Sequence, residues 1–156
     1  MLYVLFFQMN QTATKETQTN IWINNSSDPL SNLYPSPIHV FGMLHRSAEH
    51  AFQFRKAQLM KNVYIMSHIL ATNCPLIARS LGEQVDTNRE WLAVRRKIMN
   101  MILRAKLDQD LEYQKALANL PDNVTICDDS QHYFWGGHGY NVIGQIHKHM
   151  KSKVWA

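Results

Sequence analysis

The segment from Thr87 to Ala105 limits the fold more than any other part of the chain. Thr87-Asn88-Arg89-Glu90 has the form of a capping box, in which a hydroxyl at a helix start and a glutamate three residues on satisfy free backbone N–H groups. Beyond it Trp91, Val94, Ile98, Met101, Ile102 and Ala105 recur at helical spacing along one narrow arc. A long helix with such a stripe must be covered by other elements, so the stripe reads as core rather than as a cofactor box. Lys106 falls at the edge of the arc. Its stem either carries the charge to solvent or brings it into a cleft, where it would hold an anionic group.

The rest of the composition fits one core around that helix. The chain has 156 residues, 46% of them apolar, which suits one compact domain and excludes a disordered charged tail. Sixteen basic against twelve acidic residues give +4, a balance that assists encounter with phosphates and is shared by many unrelated proteins. Cys74 and Cys127 are too few for a disulfide scaffold and lack CxxC spacing. The opening MLYVLFFQMN is apolar but brief, without a basic flank, and later apolar runs stop well short of the ~20 residues that span a bilayer. A soluble cytoplasmic protein without membrane contact is the expectation. Residues 1–20 are expected to be peripheral, with the first ten as an arm or edge strand, and residues 21–156 to form the domain.

Short strands are expected at Ile21-Trp22-Ile23, from Ile38 to Phe41 before a turn at Gly42, and around Met43-Leu44. NNSSDPLSNLYPSP between the first two reads as an ordered loop, because its Asn, Ser and Asp side chains bond local backbone and its prolines restrict their neighbours. Ser47 can cap a helix running to about Met60. Further helices are expected over Val63–Leu70, Pro75–Gly82, Leu111–Leu120 and Ile143–Lys151, with a bend near Asp108 and a strand from Val124 to Cys127.

Chemistry concentrates in two places. On the helix after Ser47, Glu49, Gln53 and Lys56 share one face, opposite Ala48, Ala51, Phe52, Phe54 and Leu59. From spacing alone two readings stand: a solvated face with ordinary intrahelical pairing, or a catalytic face. His45 and His50 bracket the turn into this helix and approach a cleft or make ordinary hydrogen bonds. The second place is VTICDDSQHYFWGGHGYNVIG, where glycines permit close backbone approach, Trp135 can wall a cavity and Asn141 offers both donor and acceptor. GGHG lacks the GKS or GKT of a phosphate loop. His132, His138, His147 and His149 form no HExxH or Cys/His quartet, so neither metal nor cofactor is expected.

Taken together, SNLYP at 31–35, SAEHAFQFRKA at 47–57, MILRAKLDQD at 101–110 and YFWGGHGYNVIG at 133–144 resemble the NADAR, or YbiA-like, family from about Ile21 to Met150. The resemblance implies a compact, predominantly helical α+β domain with a small sheet. It also implies a hydrolase acting on N-glycosidic bonds to ribose. Known family substrates include ribosylamino intermediates of riboflavin synthesis and ADP-ribose attached to guanine, so a phosphorylated ribosyl or ADP-ribosyl partner is expected, with transient contact to ADP-ribosylated DNA.

Carried over by motif, Asn32 and Tyr34 fall in the pocket-forming loop, Glu49 is the acidic residue and Lys56 the lysine on its face. Trp135, Gly136, Asn141 and Gly144 match the closing signature, and Lys106 matches a recurring basic position. Where many members carry Asp before an aromatic or apolar residue and Trp-Gly, this chain has His132, so an acid would come from Asp128 or Asp129. Lys106 or Arg55 would contact phosphate, with His50 and Gln53 beside the catalytic Glu49 and Lys56. Two routes follow: Glu49 directs water, or an unprotonated Lys56 attacks the anomeric carbon and forms an imine. A non-catalytic nucleic-acid or ADP-ribose binding module is the alternative, distinguished by salt-sensitive binding without release of base.

Overall fold

The computed structural model describes residues 18–23 and 25–154. The expected arm or edge strand over the first ten residues, and nearly all of the 1–20 segment, lie outside the described residues. In chain order the elements are β1 (Thr19–Ile23), β2 (Ile38–Val40), β3 (Met43–His45), α1 (Ala48–Leu59), α2 (Val63–Ala71), α3 (Pro75–Glu83), α4 (Arg89–Gln109), α5 (Leu111–Ala118), β4 (Val124–Asp128) and α6 (Val142–Lys151). The architecture is α+β and mostly helical, as expected. The strands divide between two small sheets, a parallel β1–β4 pair and an antiparallel β2–β3 hairpin.

Local chemistry accounts for most boundaries. Ser47 caps α1 by accepting from the His50 N–H, and Asn62 caps α2 by accepting from Ile65. The first expectation to need correction is the start of α4. Its cap is Asn88, whose side chain accepts from the Trp91 N–H at 3.0 Å, rather than Thr87. The expected bend at Asp108 falls instead at Asp110, which ends α4 and caps α5 through the N–H groups of Glu112 and Tyr113. Phe41 belongs to the hairpin turn, not the strand. Phe41 and Gly42 have φ of 53° and 78°, the consecutive positive values of a type I′ connection.

The buried arc of α4 is rotated from the one its apolar spacing indicated. Ile98, Met99, Ile102, Leu103 and Leu107 are buried, whereas Met101 is 44% exposed. The cause is tertiary: α1, β2, α5 and α6 all pack on this helix, so a wider arc is covered, displaced toward Met99 and Leu103. Lys106 consequently sits in the middle of the buried arc, not at its edge. It is fully buried, and its Nζ donates to the Pro29 carbonyl at 2.7 Å and the Ser31 carbonyl at 3.1 Å. Burial lowers its pKa to about 8, against the opposing pull of Asp110 and Asp28. Neither predicted fate, solvent or an anion in a cleft, describes this lysine; it ties the loop before β2 onto α4.

Helix α1 lies at the centre, packed by α2, α3 and α4. It is therefore buried over almost all its circumference, including Glu49, His50 and Gln53, and the solvated-face reading fails. Leu59, placed on the apolar arc by spacing, is at the exposed end of the helix. No helix among the described residues is long and apolar enough to cross a membrane.

Candidate active site

A groove of about 740 Å³ runs between the loop before β2, one face of α1, the C-terminal half of α3, one face of α4 and the segment at and after the end of β4. Asn32 enters from the loop, Glu49, Gln53 and Lys56 from α1, Arg79 and Glu83 from α3, Arg95 and Met99 from α4, and Asp128, Asp129, His132 and Trp135 from the last segment. The loop and α1 are tied directly, because the Asn32 carbonyl accepts from the Glu49 N–H at 3.0 Å, one of the N–H groups a helix start leaves without an intrahelical partner.

Glu49 is the best-held group in the groove. Its side chain is 5% exposed, and both carboxylate oxygens accept from Arg79, Oε2 from Nη2 at 3.0 Å and Oε1 from Nε at 3.2 Å. Gln53 Nε2 adds a third bond to Oε1 at 2.8 Å. Burial pulls the Arg79 pKa down, but the charge and hydrogen bonds of Glu49, with Asp128 and Glu83, outweigh it and hold the guanidinium above its usual value. The close approach of α3 that permits this pairing depends on Gly82: a Cβ there would run into the Gln53 side chain. Gln53 Oε1 and Asn32 Oδ1 are buried without a hydrogen-bond partner among the described residues.

Lys56 and Asp128 also have shifted pKa values. Burial pushes the Lys56 pKa down, partly offset by Glu49 and Glu83, so its amine is easier to deprotonate than an ordinary lysine. Asp128 moves the other way. Burial raises its carboxyl, reinforced by Glu49 and Asp129 and opposed by the Ser130 N–H and by Arg79. The pair thus shifts toward neutral amine and neutral acid, the pattern found where proton transfer is required.

The last segment shapes the wall. Trp135 meets Phe52 edge-on with centroids 5.3 Å apart. Gly136 and Gly144 do not reach the groove; a Cβ on either would strike a backbone carbonyl, Ser130 for the first and Ile126 for the second. Asn141, at φ 53°, donates from Nδ2 to the Ile126 carbonyl at 2.7 Å and accepts from the Asp128 N–H at 3.3 Å. These three signature residues hold the end of β4, and with it Asp128, in place.

The structure thus brings together Asn32, Glu49, Gln53, Lys56, Asp128, Asp129, His132 and Trp135, and leaves seven predicted site residues outside: Gly136, Asn141 and Gly144, which act on β4, and Tyr34, His50, Arg55 and Lys106. His50 bonds Ser47 and the Thr72 carbonyl and lines a separate apolar cavity of about 560 Å³ with His45. Arg55 donates to Gln58 and lies over Phe41. Tyr34 stands over Lys106, whose ammonium is already spent on two carbonyls. Arg79, Glu83 and Arg95 were not anticipated. Arg79 and Glu83 flank Gly82 on α3, and a glycine inside a helix is itself a sign of close approach.

Comparison with known proteins bears on the family and the fold. The model of the NADAR domain matches residues 8–155, and so extends into the segment expected to be peripheral. The chain belongs to the NADAR family. This NADAR protein is 29% identical over 131 residues to N-glycosidase YbiA of Escherichia coli K12, covering 80% of this chain and 79% of that one. It is 28% identical over 123 residues to a riboflavin biosynthesis protein of Vibrio vulnificus, matching 75% of this chain but only 33% of that much longer protein. The solved structure of Escherichia coli YbiA superimposes with a TM-score of 0.71 at 25% identity, covering 88% of this chain and 85% of the other. These likenesses support a glycosidase-like role.

Proposed function

We propose that this NADAR protein is an N-glycosidase that cleaves the bond between ribose and a nitrogenous base in a phosphate-bearing nucleotide-like substrate, either a ribosylaminopyrimidine phosphate or ADP-ribose attached to guanine. The observation that carries the reading is the meeting, in one groove, of an ion-paired buried Glu49 with a desolvated Lys56 and an Asp128 of raised pKa. The names of the Escherichia coli and Vibrio relatives support the reaction class. A groove of about 740 Å³ accommodates a ligand of nucleotide size.

The chemistry divides as follows. Trp135 offers an aromatic wall for the base or ribose, and Asn32 Oδ1 an acceptor for a sugar hydroxyl. Asp128, protonated more readily than an ordinary carboxyl, gives its proton to the departing base nitrogen. The neutral Lys56 amine attacks the anomeric carbon as the bond to the base breaks, and the electron pair leaves on the base. The glycosylammonium so formed returns a proton to the Asp128 carboxylate, and the resulting glycosylamine opens to an imine, which water hydrolyses to free sugar and restored lysine. Glu49, fixed by Arg79, stabilises positive charge at the anomeric carbon and on the imine.

Borohydride added during turnover tests the covalent step. A reduced sugar adduct located on the Lys56 peptide by mass spectrometry is expected. No adduct during active turnover, or full activity of Lys56→Ala, transfers the reaction to water directed by Glu49.

A further inference from the structure

The two basic residues that the sequence offered for phosphate, Lys106 and Arg55, both lie outside the groove, so a phosphate-bearing substrate needs another partner. Three cations line the groove, and one of them, Arg79, is ion-paired. Arg79 is bound to Glu49, and Lys56 lies in the fields of Glu49 and Glu83. Arg95, like Lys56, has no carboxylate within ion-pair distance among the described residues, but no carboxylate offsets its burial either, and its buried Nε has no hydrogen-bond partner there.

Arg95 is nevertheless placed with care. Its guanidinium carbon lies over Phe134, 3.6 Å from the ring centroid, and 6.0 Å from that of Trp135. A guanidinium held over an aromatic ring by cation–π attraction keeps its N–H donors for hydrogen bonds to an anion. The same residue, Phe134, organises His132: its N–H donates to His132 Nδ1 at 3.2 Å. With Nδ1 accepting, the ring hydrogen of neutral His132 resides on Nε2, a second donor beside the same part of the groove.

We propose that Arg95 and His132, both set by Phe134, form the subsite that binds a phosphoryl group on the substrate ribose. This rests on the glycosidase reading and names the feature by which the site selects its substrate. The shared chemistry is a phosphate joined through the sugar, present either as a monoester or as the diphosphate of an ADP-ribosyl group. Arg95 supplies the charge and the forked donors; His132 adds a neutral donor.

Calorimetric titration with ADP-ribose, ribose 5-phosphate and adenosine tests it, using wild type, Arg95→Ala, Arg95→Gln and Lys97→Ala. Arg95→Gln keeps a stem over Phe134, and Lys97→Ala removes an exposed charge from the same helix. At least one phosphorylated probe is expected to bind wild type and the Lys97 variant alike, and to weaken about tenfold or more in both Arg95 variants, with adenosine unaffected. A loss confined to ADP-ribose assigns the diphosphate; a loss for ribose 5-phosphate as well assigns a monoester subsite. The proposal is overturned if neither phosphorylated probe binds wild type, if both Arg95 variants bind them as wild type does, or if adenosine weakens equally. Base release by wild type together with phosphate-indifferent Arg95 variants removes the subsite and leaves the glycosidase. Arg95-dependent binding without base release from any ribosyl substrate does the reverse.

Discussion

Removing Arg79 should destabilise the protein through Glu49, and the size of the effect follows from the burial of the two partners. Arg79→Ala leaves a carboxylate whose side chain is 5% exposed without either of its guanidinium bonds, while Arg79 itself is 36% exposed. Breaking a fully buried pair costs about 3–5 kcal/mol, and solvent screening on the arginine side reduces this to about 1–3 kcal/mol. For a domain of this size that corresponds to a melting temperature lower by about 2–12 °C. Glu49→Gln removes the charge but keeps an amide that can still bond Gln53, so Arg79→Ala in that background no longer strands a buried charge. Urea unfolding of wild type, both single variants and the double variant closes a cycle. The double variant should be less destabilised than the sum of the singles by about 1 kcal/mol or more; additivity to within about 0.5 kcal/mol would refute the argument that the pair acts as a unit.

Acid should weaken the fold before most carboxylates titrate. Burial lowers the pKa of His147 to about 3 and of His45 to about 4, so in the folded state both stay neutral after their unfolded counterparts have bound protons near pH 6.5. The unfolded chain then holds more protons, and stability present above about pH 6.5 is lost as pH falls, by up to about 1.4 kcal/mol per unit for each group. Urea midpoints recorded from about pH 7 to 5 should decline, and a flat profile would contradict the buried neutral state. Gly144→Ala drives a Cβ into the Ile126 carbonyl and the Asn141 side chain, forcing α6 away from β4. A loss of about 1–3 kcal/mol is expected by thermal or urea unfolding, and an unchanged midpoint would show that the contact relaxes freely.

The part of the site written on one helix was legible in the sequence. Glu49, Gln53 and Lys56 are related by helical spacing alone, and the Ser47 cap fixes where that helix starts. Arg79 was invisible because its relation to Glu49, thirty positions away in the chain, is tertiary: it requires α3 to lie against α1, a contact set by Gly82 and Gln53. Arg95 was hidden for another reason. Within VRRK its charge is indistinguishable from the solvated charges of Arg96 and Lys97, and only the packing of Phe134 separates it from them. Lys106 shows the opposite error. Periodicity placed it at the border of an apolar stripe, but the loop carrying Pro29 and Ser31 folds over that border and encloses the ammonium. Met101 and Met99 exchange places as surface and core because four elements cover α4 and displace its buried arc from the apolar stripe.

The central claim is that the groove releases a base from ribose by means of Glu49. Chromatography of free base is the direct measurement, with a ribosylaminopyrimidine phosphate and ADP-ribosylated guanine each incubated with wild type and with Glu49→Gln checked for folding by circular dichroism. Release from at least one substrate by wild type is expected, with a loss of about a hundredfold or more in the folded variant. No release from either substrate, or undiminished release by folded Glu49→Gln, would contradict it.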